Sequence, residues 1–189
     1  MQDDARGAEV VFNEWGVLRV LHNEYGGLVP VMGRLLNRMK RGPRLMTVFD
    51  KLPQSTQQYF RDSYLNNPAL NGFLAVQGVG RVELDNLLQG FEFTLQKLCG
   101  SVYTPYVYVS TTRLCLVAGC EDPARATEVT VGAACQRECH RYTFHLRHEI
   151  MPVPLIRKGN TIFYHNAREM ADIEERGIDR IVVQPEIPI

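Results

Sequence analysis

The sequence lacks an excess of either charge, a long apolar run and a secretion signal. Its 189 residues include 21 Lys and Arg and 21 Asp and Glu, so the formal net charge is zero. A strongly basic nucleic-acid binder and a disordered chain are both excluded, because 45% of the residues are hydrophobic and the charges balance. No apolar run reaches the length of about 18 residues that a membrane span needs. With a polar start at Met1–Arg6, the sequence predicts a soluble, cytoplasmic single domain over residues 1–189.

The motifs of several enzyme classes are also missing. There is no ordered Ser/His/Asp set, no H-E-x-x-H pair and no phosphate-binding P-loop in the sequence. A serine hydrolase, a zinc protease of the H-E-x-x-H type and a nucleotide-hydrolysing enzyme therefore have no support from motifs.

Cysteine is too sparse for a disulfide-stabilised fold, with five residues in the whole chain. Four of them fall within one segment, at Cys115, Cys120, Cys135 and Cys139. In a reducing compartment, thiols clustered in this way more often bind metal than each other. We predict Cys99, which stands apart, to be a core residue at the end of a helix.

The spacing of the four cysteines favours one kind of metal centre. Four thiolates suit a tetrahedral zinc ion or a four-iron four-sulfur cluster. The gaps of four, fourteen and three residues lack the C-x2-C pairs of zinc ribbons and fit the larger cluster. Zinc remains the alternative, since nearby histidines allow a mixed Cys/His site; they are His140, His145 and His148.

Short β-branched runs alternate with segments of helical pattern, which predicts an α/β fold with parallel strands. We expect strands near residues 9–13, 73–76, 80–84, 106–112 and 180–183, and an antiparallel pair near 140–148 and 161–164. Helices are expected near 14–21, 54–66, 85–99 and 167–176, with Asp85 as an N-cap. The pattern fits part of a (β/α)8 TIM-like barrel with a cysteine-rich loop over 113–140; a small open α/β sheet is the alternative.

Polar residues follow two of the predicted strands. In parallel α/β folds, functional side chains come from the carboxyl ends of strands. Asn13 and Glu14 follow the first strand, and Arg113 lies directly before the cysteines. We predict that these three residues bind substrate beside the cluster, with Arg113 holding an anionic group. The alternative for Asn13 and Glu14 is a helix N-cap with an acid in the first turn.

The segment Arg34–Arg44 carries five basic residues in eleven positions. Such a run binds RNA phosphates in some proteins and forms a solvated face in others. A sheet with open edges also invites pairing with another strand. RNA, a second copy of the chain and a missing N-terminal half-barrel are therefore the candidate partners.

Several segments together resemble one family. The most specific is the cysteine segment from Thr111-Thr112-Arg113-Leu114-Cys115 onward; the others are Val11–Arg19, Gly33–Asn37, Arg41–Arg44, Val82–Asp85, Gly159–Thr161 and Asp179–Ile181. These stretches resemble the collagenase-like peptidase family (peptidase family U-thirty-two), and its four-cysteine iron–sulfur members in particular.

This resemblance implies a TIM-like barrel that carries a four-iron four-sulfur cluster and supports hydroxylation of RNA or of ubiquinone. It also implies that the first barrel strands are missing here. The family's peptidase-type pattern is absent, since Cys99 lies too far from Cys115. A peptidase-like hydrolase and a structural-zinc binding module are therefore the alternatives.

Overall fold

A computed structural model describes residues 6–120 and 134–188 of the chain. Nine strands and four α-helices lie in these ranges. The strands are β1 (Glu9–Phe12), β2 (Val29–Met32), β3 (Arg81–Asp85), β4 (Cys99–Thr104), β5 (Tyr106–Thr111), β6 (Phe144–Leu146), β7 (Leu155–Lys158), β8 (Thr161–His165) and β9 (Ile178–Val183). The helices are α1 (Trp15–Glu24), α2 (Gln54–Arg61), α3 (Pro68–Val76) and α4 (Glu138–Arg141).

The strands form two sheets. One has five parallel strands in the order β1-β2-β3-β4-β9, and the other has four antiparallel strands in the order β5-β8-β7-β6. The predicted α/β class with a parallel sheet is thereby confirmed. No closed barrel is formed by the residues that the structure describes, so the TIM-like part of the prediction is not confirmed.

One face of the parallel sheet is apolar and builds the core. Alternate residues of a strand point to opposite faces, and the residues on this face are fully buried: Phe12, Met32, Val82, Leu84 and Val102. Leu18 and Leu21 of α1 and Leu70 and Leu74 of α3 belong to the same cluster. Each buried aliphatic or aromatic side chain contributes about 1.5–3 kcal/mol, so this face supplies the main driving force for folding.

The opposite face of the sheet is polar and concave. Glu9 of β1 forms a salt bridge with Arg180 of β9, although these are the two edge strands of the sheet. Strands are spaced about 4.8 Å apart, which would separate the edges of a flat five-stranded sheet by about 19 Å. The sheet must therefore curl toward this face. Arg81, on the central strand, bridges Glu9 and Asp179 on the same side.

Helix α3 replaces a strand that the sequence predicts at residues 73–76. Asn67 accepts hydrogen bonds from the backbone N–H groups of Ala69 and Leu70, and Pro68 takes the first helical position. Leu70 and Leu74 are four residues apart and both buried, which is helical spacing. The helix that the sequence predicts over 54–66 is shorter in the structure: it ends at Arg61 and is followed by a 3-10 turn at Tyr64–Asn66.

Residues 86–98 contain no helix, and the predicted N-cap role of Asp85 is wrong. Asp85 is instead the last residue of β3, and its carboxylate binds two arginines (below). The prediction for Cys99 is also wrong: it begins β4 and is exposed. Strand β4 was hidden from the sequence pattern because it begins with Cys99, Gly100 and Ser101 and has only two β-branched residues.

The predicted helix over 167–176 is reduced to a 3-10 turn at Glu174–Arg176. The antiparallel sheet contains β7 between the two strands that the sequence paired directly. No helix of the described residues is long and apolar enough to cross a membrane.

Candidate metal centre

The first two cysteines lie on a compact segment that follows β5. The N–H of Ala118 donates to the carbonyl of Cys115 at 3.2 Å, and the N–H of Cys120 donates to the carbonyl of Val117 at 3.1 Å. Val117 is 1% exposed and anchors the segment in the interior. Consecutive turns thus set the separation of Cys115 and Cys120, and both residues are partly buried.

The other two cysteines flank the start of α4. Arg137, the residue before the helix, has a left-handed backbone with φ 59°, and its N–H donates to Sγ of Cys135 at 3.4 Å. Cys139 is the second residue of α4 and is partly buried, whereas Cys135 is exposed. The predicted loop over 113–140 therefore includes a short helix, and its residues 121–133 lie outside the described residues.

The carboxylate of Glu138 joins the two cysteine segments. Its Oε1 accepts from the N–H of Gly119 at 2.7 Å, and its Oε2 accepts from the N–H of Gln136 at 3.1 Å. Glu138 is 2% exposed. Backbone N–H donors, first its own and then that of Gly119, lower the pKa of this carboxyl group. Glu138 is thus an ionised side chain that links the neighbours of Cys120 and Cys135.

The turn between β7 and β8 makes a second link. Asn160 and Thr112 share three hydrogen bonds. The carbonyl of Asn160 accepts from the N–H of Thr112 at 3.0 Å and from its hydroxyl at 3.4 Å, and Nδ2 of Asn160 donates to the carbonyl of Thr112 at 2.8 Å. Gly159 has φ +61°, and a Cβ on it would lie 3.3 Å from Cβ of Cys139. One tight turn therefore contacts both Cys139 and the chain that leads into Cys115.

The chemistry of this donor set fits an inorganic centre. None of these four cysteines is joined in a disulfide in the structure, and soft thiolate ligands suit zinc and iron–sulfur clusters. Within residues 6–120 and 134–188, no three His, Cys, Asp or Glu side chains are arranged as a finished metal site. What connects the segments in the described residues is the set of contacts made by Glu138, Gly159 and Asn160.

The predicted substrate residues lie at separate places. Arg113 is exposed and stands two residues before Cys115. Asn13 follows β1, where its Oδ1 accepts from the N–H of Leu35 at 3.1 Å. Glu14 occupies the N-cap position of α1 without a side-chain capping bond. Asn13 therefore supports the loop that follows β2, a role that neither sequence interpretation of this residue included.

A buried charge cluster at the carboxyl end of β3 was missed by the sequence analysis. Asp85 is fully buried, with Arg34 Nη1 at 2.9 Å from its Oδ1 and Arg41 Nε at 2.8 Å from its Oδ2. The N–H of Tyr108 also donates to Oδ1 at 3.1 Å. Only the strongly apolar context of Asp85, after Val82 and Leu84, hinted that its charge would need partners.

A second acid lies beside this cluster on the concave face. Glu83 is 6% exposed and accepts a hydrogen bond from the hydroxyl of Tyr103. Burial raises the pKa of Glu83, and burial together with this hydrogen bond raises the pKa of Tyr103. The guanidinium of Arg34 lies 4.2 Å above the ring of Tyr103. The carboxyl end of the sheet thus holds a connected polar network.

The basic segment Arg34–Arg44 is divided between interior and surface. Arg34 and Arg41 turn inward to Asp85. The other three basic residues stay near the surface, where Lys40 lies over the ring of Tyr59 and Arg38 lies over that of Tyr64. Lys40 and Arg44 line an open cavity of about 500 Å³.

Comparison of the chain with family models, with curated proteins and with solved structures found no match. Its function is therefore inferred from its own residues.

Proposed function

We propose that this chain binds a four-iron four-sulfur cluster through Cys115, Cys120, Cys135 and Cys139, and that the cluster supports a hydroxylation or other redox reaction. The observation that supports the proposal is the pair of links between the cysteine segments. Glu138 joins the segment of Cys120 to that of Cys135, and the β7–β8 turn contacts Cys139 and the approach to Cys115.

A cluster held there would supply one-electron transfer. The chain's own residues provide the surroundings. Arg113 is an exposed cation two residues from Cys115, and in this proposal it binds an anionic group of the substrate. Asn13 and Glu14 are further substrate residues in the proposal, although Asn13 already accepts a hydrogen bond from Leu35.

Metal analysis after anaerobic purification tests the proposal. We expect about four irons and four sulfides per chain, and loss of most of both in Cys115→Ser and Cys135→Ser. Cys99→Ser is the matched control, because Cys99 is exposed at the start of β4 and belongs to neither segment. One zinc per chain without sulfide would instead support a structural-zinc binding module.

The peptidase-like hydrolase would be favoured by purified protein that contains no metal and has a hydrolase activity unaffected by the cysteine substitutions. That outcome would overturn the cluster proposal.

A contact with RNA is the partner proposal that the surface residues support. Exposed tyrosines next to cations are typical of single-stranded nucleic-acid binding, and Tyr59 is 61% exposed beneath Lys40. We expect Lys40→Gln and Arg44→Gln to weaken RNA binding and to lower its salt dependence. Unchanged retention of RNA in both variants would count against this surface.

Pairing of sheet edges is the other partner proposal, with a second copy or a half-barrel from another chain. Strands β1 and β9 are the edges of the curved sheet. On β9, Ile181 is 53% and Val183 is 69% exposed. Light scattering of the purified chain tests this: a dimer that Val183→Lys dissociates is expected, and a stable monomer at high concentration contradicts self-pairing.

A further inference from the structure

The inorganic centre needs the cysteine segments to be held at a fixed separation, and one buried side chain contacts both. We propose that Glu138 is the positioning residue of the centre: its carboxylate sets the separation of the two cysteine segments without itself ligating the metal. This inference rests on the proposed function and extends it to a residue that is not a thiol.

The two residues that donate hydrogen bonds to Glu138 are each a sequence neighbour of a cysteine. Gly119 directly precedes Cys120, Gln136 directly follows Cys135, and Glu138 itself directly precedes Cys139. A displacement of this one carboxylate therefore moves the backbone next to three of the four thiols.

Both oxygens of Glu138 accept hydrogen bonds from the backbone of the cysteine segments. Oε1 accepts from Gly119 and Oε2 from Gln136, at 2.7 and 3.1 Å, and the residue is 2% exposed. A buried carboxylate held in this way is suited to orienting ligands, like the outer residues that fix metal-binding side chains in other sites.

The chemistry of the site requires a carboxylate. Two N–H groups point at the two oxygens, and a carboxylate accepts at both. Glutamine of the same shape has only one acceptor, so its amide N–H2 would face one of the two donors. Aspartate keeps both acceptors but is one methylene shorter. Glu138→Gln and Glu138→Asp thus separate the acceptor requirement from the reach of the side chain.

The experiment compares wild type, Glu138→Gln and Glu138→Asp after reconstitution with iron and sulfide under anaerobic conditions. Glu149→Gln is the matched control, because Glu149 is exposed. We expect Glu138→Gln to lose its cluster to a chelator about tenfold faster than wild type, because losing a residue that orients metal ligands lowers metal affinity by about 10–100-fold. The reduced cluster of Glu138→Gln should show EPR g-values that differ from those of wild type. The chelator rate of Glu138→Asp should lie between those of wild type and Glu138→Gln.

Equal chelator rates and identical EPR spectra in wild type and Glu138→Gln would overturn the role of Glu138 and leave the cluster proposal intact. A wild type that takes up no iron–sulfur cluster would instead overturn the proposed function.

A measurement on the metal-free chain tests Glu138 separately. In a Cys99→Ser background, dibromobimane joins thiols that lie close together, and peptide mapping identifies the pairs. We expect links between the Cys115–Cys120 and Cys135–Cys139 segments in wild type, several-fold fewer in Glu138→Gln, and an intermediate yield in Glu138→Asp. Equal yields in all three proteins would contradict the proposed positioning. Because this readout needs no metal, it decides the role of Glu138 even if reconstitution fails.

Discussion

Arg180 contacts Glu9 across the full width of a five-stranded parallel sheet, because the sheet curls until the side chains of its two edge strands meet. Arg81 on the central strand extends the contact to Asp179. The concave face is therefore lined by charges at the amino ends of the strands and by the network of Asp85 and Glu83 at the carboxyl ends. This curvature has the sense needed for a barrel, although the described strands leave it open.

The two groups of charges on this face differ in burial and should differ in energy. Asp85→Asn leaves Arg34 and Arg41 without their anion in a site where the Asp85 side chain has no exposure. We expect a loss of about 3–5 kcal/mol in the free energy of unfolding. Urea denaturation of the variant at pH 7 measures it.

Glu9→Gln is the matched control for this prediction, since it removes a carboxylate that also binds two arginines but whose side chain is 36% exposed. Surface ion pairs contribute at most about 1 kcal/mol, so the control should remain close to wild type. Equal losses in Asp85→Asn and Glu9→Gln would show that burial does not set the strength of these pairs.

The elements that the sequence predicted correctly are those whose sequence signal lies within a few neighbouring residues. The β-branched runs of β1, β5 and β9 and the helix after β1 were confirmed because their periodicity is contained in a few residues. A proline that follows a helical pattern is typical of the end of a helix, but the capping side chain of Asn67 makes Pro68 the start of α3. Local composition alone does not separate these two uses of proline.

The site was less predictable than the strands. The four cysteines stand out in the sequence, and their role as metal ligands stays a prediction. Glu138 carries no signal of its own, because its partners Gly119 and Gln136 contribute only backbone groups. The partners of Asp85 lie 51 and 44 residues away in the sequence, and only the folded sheet brings them together.

The pKa of Glu83 predicts a pH dependence of stability. Burial raises this pKa above that of an unfolded chain, so the protonated carboxyl group is favoured in the folded state. Its contribution to stability is fully present below about pH 4.3, the unfolded value, and is lost as pH rises through the folded pKa. Glu83→Gln resembles the protonated acid and does not titrate.

Between pH 4 and pH 7, the free energy of unfolding of Glu83→Gln relative to wild type should therefore increase as pH rises, and level off above the folded pKa of Glu83. Urea denaturation of both proteins at each pH gives this difference. Tyr103 can still donate its hydroxyl proton to the amide oxygen of the variant, which keeps the comparison matched. A difference that stays constant over this range would contradict the raised pKa.

Substitution of Gly33 tests how closely the loop that carries Arg34 packs against Asn13. A Cβ at Gly33 would overlap the side chain of Asn13, with Oδ1 as its nearest atom, whereas a Cβ at Gly16 in α1 meets nothing within 4 Å. Gly33→Ala must displace Asn13 and its hydrogen bond to Leu35, so we expect a loss of about 1–3 kcal/mol in the free energy of unfolding. Gly16→Ala should gain about 0.5–1 kcal/mol, because alanine is the better helix former.

Adding Asn13→Ala to Gly33→Ala removes the overlapping atoms, and the double variant should recover part of the stability lost. Thermal and urea unfolding of the four proteins complete the comparison. If the free energy of unfolding of Gly33→Ala is as high as that of Gly16→Ala, the close approach of Gly33 to Asn13 does not limit stability. Asn13 would then be free for the substrate role that its position after β1 suggested.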